Sequence, residues 1–148
     1  MWEALFAITN AVALAGWAVL LLAPRRDWAV NGVLYLGVGL LCLAYAAMFV
    51  VLLGGLADAG QVPGAPVYDP ADYSITGLRK LFLSDGGLVL GWTHYLAFDL
   101  FVGWWIARDA DARRRSRLFQ VPFLVLTYFA GPLGLLAWLA VRGRREPA

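Results

Sequence analysis

Hydrophobic and polar positions alternate along this chain in long blocks, not in short periods. Four apolar runs, about 2–23, 30–54, 88–107 and 119–141, are separated by connections rich in charge, proline or glycine. A helix needs about 20 apolar residues to cross the hydrocarbon layer of a bilayer. Backbone polar groups in lipid must be satisfied within the segment, which selects helices over open strands. The pattern predicts an all-α integral membrane protein. Its four transmembrane helices run up and down as one bundle, in a single domain over 1–148.

The connections refine this picture. The first, PRRDW, is short enough to make the first two runs antiparallel neighbours, and the third, RDADARRRSR, lies on the same side of the membrane. The second connection, 55–87, is long. Pro63, Pro66 and Pro70 deny helix and strand to its first half. In its second half Ile75, Leu78, Leu81 and Phe82 recur at helical spacing against Arg79 and Lys80. That spacing predicts a short helix at 72–84, lying on the membrane surface. Gly32, Gly37 and Gly39 in the second run allow another helix to approach closely.

Composition agrees with a membrane setting: 61% of the residues are hydrophobic, against roughly 45–50% in soluble domains. Net charge is only +2, so no nucleic-acid partner is indicated. The basic residues cluster between the apolar runs, as in loops anchored at lipid headgroups. Arginine and lysine number seven on the side of the first and third connections and five on the other. The excess points to both termini lying outside the cytoplasm. Cys42 is the only cysteine, which excludes an internal disulfide and a CxxC motif. The N-terminal run carries Glu3 before any basic residue and is longer than a signal-peptide core, so it reads as a retained helix.

One polar residue stands out. Asp99 falls near the centre of the third run, where an aspartate costs about 2.5–3.5 kcal/mol to insert. Such residues face the bundle interior, as hydrogen-bonded glue between helices or as chemistry. Helical geometry puts Trp92, Tyr95, Asp99, Gly103 and Ile106 on one stripe, with Tyr95 one turn from the carboxyl. His94, the only histidine, is five positions away, a rise of ~7.5 Å and a turn of ~140°. It cannot form a dyad with Asp99 on one helix face, and it shares its side with Phe98, Phe101 and Trp105. Asn10 in the first run and Thr127 and Tyr128 in the fourth lie at matching depth. Pro132, in GPLG, frees a carbonyl near Tyr128 and predicts a kink in the fourth helix. Trp2, Trp28 and Trp138 read as belt residues at the interface. Asn31, Tyr35 and Gln120 read as anchors there.

Aromatic residues surround the third run, which suits stacking on a long apolar ligand. Trp92, Phe98, Phe101, Trp105, Asn10 and Tyr128 are the candidate binding residues, with Asp99, Tyr95 and His94 the candidates for chemistry. One histidine cannot build a di-iron oxygenase site or an ordinary three-ligand zinc site, so no metal ligands are assigned. Neither a P-loop, nor a dinucleotide glycine pattern, nor a Ser-His-Asp arrangement is visible.

The run LFLSDGGLVLGWTHYLAFDLFVGWWIARDA, followed by TYFAGPLGLLAWLAVR, resembles the abscisic-acid-deficient-four-like family of small membrane proteins. Plant members are needed to convert violaxanthin into neoxanthin. Gly91, Trp92, His94, Tyr95, Asp99, Phe101, Gly103, Gly131, Pro132 and Gly134 carry the likeness. The resemblance implies action on a carotenoid or another long isoprenoid. The plant reaction turns an epoxide into an allenic alcohol without net oxidation, so an acid and a base suffice and no cofactor is needed. No catalytic assignment carries over with the resemblance; the chemistry of the residues makes buried Asp99 the candidate acid, with Tyr95 orienting it and His94 a candidate base further along an extended substrate. The alternative is a non-catalytic pigment-binding or scaffolding subunit, alone as a homo-oligomer or with carotenoid enzymes. The arginine- and alanine-rich composition, without a plant transit peptide, points to a bacterial-type member in the inner (cytoplasmic) membrane.

Overall fold

The computed structural model describes every residue except Arg25, Val67, Pro70 and residues 144–148. The readings that used Arg25, Pro70, Arg144 and Arg145 fall outside the described residues. The described residues form six helices and no strand. They are α1 (Trp2–Leu22), α2 (Asp27–Leu53), α3 (Ile75–Leu81), α4 (Asp85–Ala112), α5 (Arg117–Phe129) and α6 (Gly131–Val141).

Helices α1 and α2 are long and apolar enough to cross a membrane, and only 28% and 22% of their apolar stretches are buried within the protein. Most of that hydrocarbon faces outward, which water would penalise and lipid does not. In α2 the segment Val33–Val38 is wound as a π-helix. Of the three glycines in this helix, Gly37 serves close approach: a methyl there would touch the Leu100 side chain at 3.0 Å. Gly16 of α1 receives the same leucine from the other side, at 2.7 Å. Leu100, fully buried, therefore locks α4 into α1 and α2.

Helix α4 is the central member, packed on α1, α2, α5 and α6. It starts three residues before the predicted 88 and ends five beyond the predicted 107. Ser84 caps its start, accepting a hydrogen bond from the Gly87 amide. The extension at its end replaces what the charge pattern read as loop, because Asp109 is buried there. Asp109 accepts hydrogen bonds from Arg113 one turn on, at 2.9 Å, and from the Trp138 indole, at 3.0 Å. Arg113 in turn donates to the carbonyls of Arg142 and Gly143.

Three further expectations change. The fourth apolar run is not one kinked helix; it breaks at Ala130 (φ −154°, ψ 76°) into α5 and α6, and α6 doubles back, so that Trp138 and Gly143 lie beside Asp109 and Arg113 at the opposite end of the bundle from Trp2 and not on its side as expected. Pro132 has no N–H to donate, and its ring would collide with the carbonyl four residues back. Trp2 and Trp138 are buried, not belt residues: Trp2 donates to the Asp58 carbonyl, and Trp138 donates to Asp109. Gln120, expected at the interface, is fully buried and donates to Asp111 at 2.8 Å. Trp28 is exposed as expected.

The long connection folds back onto α4. The Val62 amide donates to the Leu83 carbonyl and the Gly86 amide to the Ala59 carbonyl. Gly60 makes this return possible with a left-handed φ of 67°, and its α-carbon sits against the Asp85 carboxyl. Within the stretch 72–84 a helix is present as α3, shorter than expected at both ends (Ile75–Leu81) and capped by Ser74, with Ile75 and Leu78 exposed.

Candidate functional site

The site begins with a glycine on one helix and a carboxylate on another. Asp99 is 8% exposed, at mid-length in α4. Its side chain occupies the space where a side chain on Gly131 would stand, so only glycine lets α6 begin here. Pro132 carries no N–H, and the Leu133 and Gly134 amides both donate to the Ala130 carbonyl. Gly131 thus opens the first turn of α6 beside the Asp99 carboxyl, and Tyr95, one turn before Asp99 on α4, lines the same cleft. A helix N-terminus of this kind carries a partial positive charge and favours electron-rich groups. Asp99 Oδ2 is buried and makes no hydrogen bond.

These groups open into a cleft of about 360 Å³ between α1, α4 and the α5–α6 break, large enough for part of a lipid-sized ligand. Asn10, Trp92, Tyr95, Asp99 and Tyr128 line it together with Trp17. Trp92 stacks on Tyr95 with ring centres 5.7 Å apart, and its indole donates to Asn10 Oδ1 at 3.2 Å. Trp17 and Tyr128 meet edge to face at 5.6 Å, and the outer rim of the Trp17 indole stands where a side chain on Gly103 would project, which is why that position must be small.

Five of the residues singled out from sequence, Asn10, Trp92, Tyr95, Asp99 and Tyr128, therefore share one cleft. His94, Phe98, Phe101 and Trp105 do not line it. His94 points the other way, with its ring 4.6 Å from Phe98 and 5.5 Å from Tyr45 of α2. Phe101 stacks on Trp104, and Trp105 lies under the Arg142 guanidinium at 5.3 Å. Sequence reasoning missed Trp17 and Gly131 as parts of the site. Trp17 stands seven positions after Asn10, two helical turns along the same face, which was a usable signal.

A second polar centre, also missed, sits beyond the predicted end of the third span. Burial works to raise the Asp109 carboxyl, but hydrogen bonds from Arg113 and Trp138 and the charges of Arg113 and Arg142 outweigh it. The group is held below its ordinary value. This cluster ties the far end of α6 to α4. Helix α6 is therefore pinned to α4 at both ends, Gly131 against Asp99 and Trp138 against Asp109.

No curated protein and no solved structure matches the chain significantly. A family model does: it matches residues 4–138, nearly the whole chain, and the chain belongs to the ABA4-like (ABA DEFICIENT 4-like) family, whose name points to a membrane protein linked to neoxanthin and carotenoid metabolism.

Proposed function

We propose that this chain is a protein of the bacterial inner membrane that binds long oxygenated isoprenoids of the carotenoid kind and isomerises them without a cofactor. Helices α1, α2 and α4 supply three passes, while α5 and α6 form a hairpin that enters beside the end of α4, turns at Ala130 and returns to the same side, as non-spanning backbone can where it lines a cavity. The observation that carries the reading is Asp99 in the lining of an aromatic cleft beside a helix N-terminus, with its Oδ2 buried and without a hydrogen-bond partner.

For an epoxide-to-allene rearrangement the electrons and protons balance within the substrate. The acid form of Asp99 gives its proton to the epoxide oxygen as the carbon–oxygen bond opens. The resulting carboxylate then removes a proton from the neighbouring polyene carbon, and that bonding pair becomes the second double bond of the allene. Asp99 returns to its starting form, so one carboxyl with two oxygens serves as acid and then base. Tyr95 and the Gly131 amide hold the oxygen, and the cleft excludes water. This version does not need His94, whose ring lies on the α2 side.

The same cleft would serve a protein that binds pigment without altering it. Co-expression with a range of carotenoids, followed by pigment chromatography, separates the two. A new isomer of unchanged mass that vanishes in Asp99→Asn supports the isomerase. Unaltered pigment that co-purifies supports the binder.

A further inference from the structure

Beyond Trp92 the cleft does not end. On the far side of that indole lies a second compartment of about 540 Å³, whose walls include Trp2, Glu3, Phe6, Asp85 and Leu88. Trp92 borders both spaces, and its hydrogen bond to Asn10 and its contact with Phe6 at 6.0 Å form the bar between them. Both compartments are bounded by α1 and α4, and the α1 and α4 residues Phe6, Leu14, Leu88 and Trp92 are exposed. The groove is thus open sideways, where lipid would lie.

Its charges are of one sign. Glu3 and Asp85 stand exposed at the outer end and Asp99 is buried at the inner end, while no lysine or arginine lines either compartment. The described arginines of the α2 start and the α4–α5 connection lie at the opposite end of the helices. Asp85 and Asp99 are fourteen positions apart on one helix, a separation of ~21 Å.

We propose that the outer compartment is a second subsite of the same groove, in which Glu3 and Asp85 accept a hydrogen bond from a hydroxyl at the far end of the ligand. The groove then takes neutral, rod-shaped lipids with oxygen at two points about 20 Å apart. It turns away isoprenoids that end in phosphate or carboxylate, because the two outer carboxyls, in a compartment that no lysine or arginine lines, repel an anionic end. An alcohol fits both ends: it can donate to a carboxylate and accept from an amide. This rests on the reading of the Asp99 cleft as an isoprenoid site and adds what recognises the other end.

The test uses the full chain in phosphatidylcholine nanodiscs, with binding read by the absorption shift of the polyene. The probes are a polyene diol, the corresponding hydrocarbon and, as competitor, a polyprenyl diphosphate. The diol should bind at least tenfold more tightly than the hydrocarbon, and the diphosphate should not displace it. Glu3→Gln with Asp85→Asn, which keeps shape, should remove most of that preference. Glu3→Lys with Asp85→Lys should let the diphosphate compete. If the double variants bind the diol as the parent does while Asp99→Asn weakens it, the outer subsite is wrong and the inner site stands. If no polyene binds at all, both readings fall.

Discussion

Gly131 and Asp99 are a matched pair: the carboxyl of one fills the volume that any side chain on the other would occupy. The consequence runs from sequence to chemistry. Because position 131 has no side chain, the amide end of α6 reaches a carboxyl buried in the middle of α4. Because position 132 is proline, the preceding helix cannot run on through it; the chain breaks at Ala130 and a new helix starts beside the carboxyl. A polar group at mid-membrane depth is expensive, and here a helix N-terminus beside the carboxyl offsets part of the cost.

Gly131→Ala should therefore cost about 1–3 kcal/mol from overpacking, or else expel the carboxyl from its seat and abolish activity. Gly32→Ala is the control, since a methyl there meets nothing within 4 Å. Thermal unfolding in detergent, with pigment binding measured alongside, checks both. A Gly131→Ala protein with parental stability and unaltered pigment handling would contradict the close approach.

The Asp109 cluster makes a pH prediction outside the membrane-spanning part of α4. Its carboxyl is lowered in the folded protein, so the stabilisation is complete above the ordinary carboxylate value of about 3.9 and is lost as pH falls through the lowered value. Asp109→Asn leaves Arg113 buried beside an uncharged partner and should cost on the order of 3–5 kcal/mol at neutral pH. It should also flatten the acid limb of stability against pH. Unfolding temperatures across an acid series, parent against variant, decide it. An equally steep limb in the variant would place the acid sensitivity elsewhere.

What was legible in the chain follows from how local each cause is. The first two helices could be read to within about three residues because uniform hydrocarbon leaves little else to consider. The end of α4 could not, since RDADA looks solvated until Trp138, twenty-nine residues away, is seen to donate to Asp109. The i,i+4 spacing of Asp109 and Arg113 was the available hint that the helix continues. In the site, the Trp92–Tyr95–Asp99 stripe followed from helical periodicity alone. That Gly131 seats the carboxyl, and that His94 turns towards Tyr45, depend on packing between distant segments. The π-helical turn at Val33–Val38 had no sequence signal that we can identify.

Three passes put the long connection and the start of α2 on opposite faces, and the α5–α6 hairpin brings the chain back to the second of these. In a Cys42→Ala background, Gly64→Cys should react with an impermeant thiol reagent from one side of sealed vesicles, and Arg26→Cys and Gly143→Cys from the other. Labelling of Gly143→Cys from the Gly64→Cys side would mean that α5 and α6 cross the membrane and would overturn this arrangement.

The last prediction concerns neighbours on one helix with opposite surroundings. Tyr95 lies in the cleft beside Asp99, whereas His94 packs against the tilted rings of Phe98 and Tyr45 outside it. If a single carboxyl carries the proton both ways, His94→Gln should keep turnover within about threefold of the parent, a change below 1 kcal/mol in barrier. Tyr95→Phe removes the hydroxyl while keeping the stack on Trp92, so binding should persist and turnover should fall by about ten- to a hundredfold, as when one positioned hydrogen-bond donor is lost. Initial rates and pigment affinity measured on the same preparations separate the two effects. Should His94→Gln instead abolish turnover with affinity intact, the base is the imidazole, and the substrate must wrap around α4 to reach it.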